Sequence, residues 1–349
     1  MRQRYVGNVV VGVTLAFAVL SGCSERSPRG GFPELRGDYL GQARPGREPE
    51  LFAPGIVTTG LYTRDVAMAP EGDEIYFSIA TGSASVIMVT RRQDGRWLEP
   101  RVAPFSGVWR DFEPFVTSDD GRLLFLSNRP PTGEDPLPGW SHQNIWQVRR
   151  TDSGWSEAEM LSAPVNSDSK EFFPSVSAGG ALYFTRVGEG LNAKIFRSKS
   201  LGDGYSEPEE LPPEVNSTAS QYNGFISNDE SLLLFAASGR DDSRGGSDCY
   251  VSFRTPDDSW SGPFNLGDAV NDEGSCESAS LSPDGRFLFF MSTRGDPSGD
   301  HDLRGLTLSE IQARQAAPRN GLADIYWVDA GFLDELRPGP NSLEPSPLD

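Results

Sequence analysis

The chain has 349 residues and a formal net charge of -19 at pH 7, with its acids spread along its length. Such a surface repels phosphate backbones and anionic lipid headgroups, which argues against nucleic-acid binding and against charge-driven adsorption to a membrane. With 38 Gly and 27 Pro, and with helix-spaced Ala-Leu-Glu-Lys stretches almost absent, the profile is that of many short strands joined by turns.

At the N-terminus, Arg2 and Arg4 precede an apolar run over 6–20 that is short for a membrane span of about 20 residues. The run closes in Leu20-Ser21-Gly22-Cys23, which resembles the bacterial lipobox, where a peptidase cuts before a cysteine that carries lipid. An uncleaved anchor is the plain alternative. The resemblance implies a signal peptide over 1–22, lipidation at Cys23 and, with Ser24 following, an outer-membrane lipoprotein facing the periplasm. Residues 23–47, rich in Gly, Pro and Arg, read as a flexible tether.

From there the chain repeats. A turn recurs as Ala69-Pro70-Glu71-Gly72, Ser118-Asp119-Asp120-Gly121, Ser177-Ala178-Gly179-Gly180, Ser227-Asn228-Asp229-Glu230 and Ser282-Pro283-Asp284-Gly285. Proline presets φ in such a turn, and Asp-Gly supplies a polar cap and a positive φ. Each turn leads into an apolar strand, such as Leu182-Tyr183-Phe184, and then a further strand, such as Ile195-Phe196. Four repeats add a second turn that ends in an aromatic: Trp97, Trp155, Tyr205 and Trp260. Each unit therefore reads as four antiparallel strands, too thin to bury both faces alone and stable only when stacked radially.

The fifth unit runs into Asp329-Ala330-Gly331 without a fourth strand, while an unassigned segment, 48–57, resembles the fourth strands of the other units. The expectation is an all-β fold: a single β-propeller over 48–335, with five blades (six if one is degenerate), closed by an N-terminal strand and followed by a Pro-rich tail over 336–349. Ser-Pro-Asp-Gly, an aromatic strand, Ser-x-Arg and then Asp-Ile-Tyr, best seen in Ser282 to Arg294 with Asp324-Ile325-Tyr326, resembles the WD40-like repeat of the TolB-type propeller. The likeness covers roughly 48–330. TolB's separate α/β domain has no counterpart, so a role in the Tol system is not implied, and the repeat speaks to fold rather than function.

Besides Cys23 there are two cysteines. Cys249 takes a position that is Ile in other repeats, so a buried thiol is favoured over a Cys249–Cys276 bridge, which an oxidising compartment would permit.

In an antiparallel blade the start of strand one, the end of strand two and the start of strand three share one face. That face gathers Arg64, Asp65, Glu113, Arg129, Glu171, Arg186, Asn223, Arg240, Glu277 and Arg294 around the channel mouth. Two long insertions leave from it. One spans 130–143 and carries Trp140 and His142; the other spans 295–323 and carries Asp296, Asp300, His301 and a short helix over 308–316 capped by Ser309. These residues are the candidate ligand-binding rim. The plainer reading is that each arginine pairs with an acid of its own or the next blade; the functional reading has the guanidinium forks present to a carboxylate or sugar.

Enzyme signatures are mostly absent. Two histidines exclude a multi-histidine metal centre, and no nucleophile elbow, phosphate loop or dinucleotide fingerprint occurs. No cofactor is expected. Calcium in the loop 241–248 is the one metal option, although its spacing is not that of an EF-hand and a solvated loop is favoured. The expected function is a non-catalytic, monomeric, lipid-anchored module that binds an envelope protein, peptide or glycan. The alternative is a carbohydrate-active hydrolase or lyase using the rim acids Glu113, Glu171 and Glu277.

Overall fold

A computed structural model describes residues 31–188, 190, 192–217, 220–295 and 303–339. The proposed signal peptide, Cys23, Asp296, Asp300, His301 and the tail from 340 lie outside the described residues. The described part is nearly all β and forms a propeller of five antiparallel blades. The innermost strands run Tyr62–Met68, Asp111–Val116, Glu171–Val176, Ser220–Ile226 and Cys276–Leu281. Each is followed outward by a second strand (Glu74–Thr81, Arg122–Ser127, Leu182–Val187, Leu232–Ser238, Phe287–Ser292) and a third (Ala84–Gln93, Asn144–Thr151, Ala193–Ser198, Asp248–Phe253, Asp324–Asp329). Short two-residue segments complete the outer edges.

The near-continuous apolar runs of the second strands follow from burial on both blade faces. Leu123 and Phe125 turn toward the first blade while Leu124 turns toward the third. Leu233 and Phe235 face the third blade, and Leu232 and Leu234 the fifth. Every seam between neighbouring blades thus holds an apolar cluster. The aromatic of the second turn wedges into the seam with the preceding blade: Trp155 Nε1 donates to Tyr76 Oη at 3.0 Å, and Tyr205 Oη accepts from Arg122 at 3.2 Å.

The fifth blade takes its fourth strand from the N-terminal side. Glu50 and Leu51 pair with Trp327 and Tyr326, and the fully buried Phe52 packs against Phe289 and Trp327. The chain continues upstream in contact with the ring. Leu35–Arg36 pairs with Arg96–Trp97, Leu40 is buried, and Trp97 Nε1 donates to the Gly37 carbonyl at 2.7 Å. The expectation of a tether over 23–47 is corrected for 34–47, which is docked rather than loose.

Two further expectations are corrected. Cys249 and Cys276 form a disulfide, Cα to Cα 5.5 Å, that ties the third strand of blade four to the first strand of blade five; the position that is Ile elsewhere lies at this seam and faces another cysteine. The insertion helix, α1 (Leu308–Gln315), is capped by Thr307 rather than Ser309. Thr307 Oγ1 accepts from the Glu310 N–H and the Glu310 carboxylate accepts from the Thr307 N–H, a reciprocal box that Ser309, already inside the first turn, cannot make. A second helix, α2 (Phe332–Leu336), buries Leu333 under blade five.

Candidate functional site

Each innermost strand carries one irregularity at the same place. Register slips between Arg64 and Val66, Phe112 and Phe115, Phe172 and Ser175, Tyr222 and Phe225, and Glu277 and Ser280. The residue inside each bulge is a non-glycine in the left-handed region: Asp65 (φ 56°), Glu113 (59°), Phe173 (52°), Asn223 (56°) and Ser278 (54°). Such a residue costs of order 1 kcal/mol or more and persists where the surroundings over-determine it. Five in register make a belt about the channel, since a bulge re-aims the side chain it carries.

Arg64 plugs this belt. Its Nε meets Asp65 Oδ1 at 2.8 Å, and its Nη2 donates to Glu113 Oε1 at 3.2 Å and to Ser278 Oγ at 2.9 Å. Its Nη1 lies 4.0 Å from Glu277 Oε2. Burial alone would lower the Arg64 pKa, but Asp65, Glu113, Tyr62 and Glu277 outweigh it and hold the guanidinium charged. Burial pushes Glu113 up to about 8, against the pull of Arg64 and of the Phe173 N–H, which donates to Glu113 Oε2 at 2.8 Å. Asn223 Nδ2 donates to Ser278 Oγ at 3.2 Å. Above the plug, a polar mouth of about 400 Å³ is lined by Arg64, Glu113, Gln143, Lys170, Tyr222 and Glu277 among others. Trp140 stacks on Phe112 (centroids 5.8 Å apart), whose ring also lies 5.5 Å from the Arg64 guanidinium.

The structure thus brings Arg64, Asp65, Glu113, Asn223 and Glu277 together, with Trp140 beside them. It places the other candidates elsewhere. Arg129 donates to the Phe105 carbonyl and to Asp111, Arg186 to Glu171 and the Pro164 and Val165 carbonyls, and Arg294 to the Ala269 and Val270 carbonyls beside Asp272. Each guanidinium lies over aromatics of its own blade and clamps the crossover that arrives from the preceding one. Glu171 is fully buried beneath Arg186, and Arg240 sits over Tyr250 beside Asp242. Arg129, Arg186 and Arg294 direct their forks at backbone carbonyls, which no pairing of side-chain charges in the sequence reveals, while Arg240 donates to Ser217 Oγ.

A repeated clip also went unread. Asn166, Asn216 and Asn271 each accept from the amide of the second or third residue of a third strand (Ile145, Ile195, Cys249) and donate back to that residue's carbonyl. Its signal was the recurring Val-Asn at 165–166, 215–216 and 270–271. In the loop considered for calcium, Asp248 turns inward to accept from the Arg244 and Gly245 amides, and no group of three or more candidate ligands is arranged for a metal among the described residues.

The chain matches no protein-family model, and no curated protein matches it. Among solved structures it is similar to TolB from Acinetobacter baumannii, with 13% identity and a TM-score of 0.45, over 77% of this chain and 57% of that one. The chain thus spans somewhat over half of that TolB's length. It is also similar to the arabinanase Arb43A from Bacillus subtilis, with 10% identity and a TM-score of 0.48 over 78% and 95%. A third is the α-L-arabinofuranosidase PaAbf62A from Podospora anserina, with 11% identity and a TM-score of 0.43 over 81% and 93%. At these identities the likeness concerns the fold alone.

Proposed function

We propose that the chain is a non-catalytic binding or scaffold module, monomeric and lipid-anchored in the cell envelope, whose loop-bearing face takes a protein, peptide or glycan partner. One observation carries this reading: a single guanidinium, Arg64, engages Asp65, Glu113 and Glu277 together. Glycoside hydrolysis needs an acid and a base facing each other across a gap that admits sugar and water. Here the gap is filled by a cation, and Glu171 is buried under another. The second insertion exposes the apolar side chains Leu303, Leu308 (70% exposed), Ile311 and Leu322, and its Asn320 amide holds the Gly60 carbonyl next to the exposed Leu61. Exposed apolar residues grouped in this way favour a docking role.

The envelope placement rests on Leu20-Ser21-Gly22-Cys23, with signal peptide 1–22, lipid on Cys23 and an outer-membrane site facing the periplasm. The turn repeats are read as WD40-like copies of the TolB type. Labelled fatty acid incorporated by the wild-type chain and absent from Cys23→Ala tests the anchor. Capture of a partner from solubilised envelopes, lost on Leu308→Ser with Ile311→Ser, tests the binding face; unchanged capture counts against it.

A hydrolase is the second reading, favoured by the raised pKa of Glu113 beside a solvent-open mouth and the Trp140–Phe112 stack. Turnover of any member of a glycan panel, abolished by Glu113→Gln or Glu277→Gln at unchanged melting temperature, would replace the binding reading.

A further inference from the structure

The channel has a second mouth. On the other side of the Arg64 plug lies a cavity of about 360 Å³, within the range of small-molecule sites. Asp65 and Glu113 form its polar end. Its walls include residues that follow four of the five bulges: Met68, Phe115, Phe225 and Leu281 remain half-buried although they sit at the heart of the ring. Phe115 and Phe225 come from blades two and four, and their rings meet as a tilted pair with centroids 6.2 Å apart. The rim of this mouth is made by the repeated turns, including Ser227-Asn228-Asp229 and Ser282-Pro283-Asp284-Gly285. Asp229 and Asp284 stand at the opening, each bracing its own turn through Oδ1. No lysine, arginine or histidine lines the cavity.

We propose that this mouth binds a small apolar cation, an aromatic or alkyl amine, with its hydrocarbon body against the paired rings of Phe115 and Phe225 and its ammonium at the Asp229 and Asp284 rim. Three features select that class. The aromatic and aliphatic walls bury a hydrocarbon body, and aromatic faces attract a neighbouring cation. The rim acids Asp229 and Asp284, with no basic residue lining the cavity, disfavour an anion. The inner pair, Asp65 and Glu113, is already engaged by Arg64, so the rim acids rather than the inner end receive the ammonium. The turns that make this rim were read from the sequence as hairpin geometry only, which they also are.

Calorimetric titration of the folded chain with 1-naphthylmethylamine and, separately, 1-naphthylacetate tests the proposal at neutral pH and low salt. The amine is expected to bind with a Kd of about 0.1 mM or tighter. The acid is expected to bind at least about 10-fold more weakly. Leu281→Trp, which fills the cavity, should abolish amine binding, and Phe225→Ala should weaken it while melting temperatures report that the ring is intact. Asp229→Asn with Asp284→Asn should reduce the preference for amine over acid by about 3-fold or more. Equal affinity for amine and acid would overturn the proposal, as would amine binding indifferent to both Leu281→Trp and Phe225→Ala. Charge preference that survives the double aspartate substitution would overturn the assignment of the ammonium to the rim.

Discussion

Arg64 decides more than any other residue. Its side chain is 13% exposed and is shared by three carboxylates, so removing it leaves buried charge without a counter-ion. Arg64→Ala is expected to cost about 3–5 kcal/mol in denaturant unfolding; a loss below about 1 kcal/mol would mean the plug is ornamental. Glu113 makes a second prediction. Its pKa rises from 4.5 to about 8 on burial, so between those values the folded chain keeps a proton that the unfolded chain has released. Stability is therefore full below the lower value and falls as pH rises through the upper one. Asp324, raised to about 6 by burial, adds in the same direction. Glu113→Gln should flatten the decline in melting temperature between about pH 5 and 8; an unchanged slope would assign it elsewhere. Little of this was legible beforehand. Arg64, Asp65, Glu113 and Glu277 could be placed on one rim, but their convergence depends on a bulge occupied by Asp, Glu, Phe, Asn and Ser, residue types with no common signature.

Elements were easier to read, because their causes are local. Turn residues fix a reversal within four positions, and a run such as Leu232-Leu233-Leu234-Phe235 is sheet buried on both sides whichever blade adjoins it. What escaped depended on neighbours distant in sequence. The Thr307 cap was missed by two residues because Ser309 fits the same preference list and only the Glu310 reach-back separates them. The disulfide was missed because strand spacing within one blade says nothing of the seam with the next. That bridge closes a loop across residues 249–276, and Cys249→Ser with Cys276→Ser should cost about 2–4 kcal/mol in thermal or denaturant unfolding. A double variant as stable as the parent would show that the seam cluster around Leu234, Val251 and Leu288 suffices alone.

At the scale of the molecule, the closed ring and its N-terminal closure follow from the needs of its blades: none can bury its faces without two neighbours, and the fifth lacks an outer strand of its own. The same ring sets the two mouths. The bulge belt and Arg64 divide the channel, so one mouth is polar and framed by long loops, and the other apolar and framed by turns. Both mouths exist only while the ring is closed. Closure rests on Glu50 and Leu51 in the sheet and on Phe52 and Val57, both fully buried, with Leu40 packed beside them. The most direct test compares a chain beginning at residue 31 with one beginning at residue 58, by melting and by size-exclusion chromatography. The shorter chain should melt at least about 10 °C lower and self-associate through the bared Asp324–Asp329 strand. A monomer of undiminished melting temperature would contradict the closed ring, and with it the division of its channel.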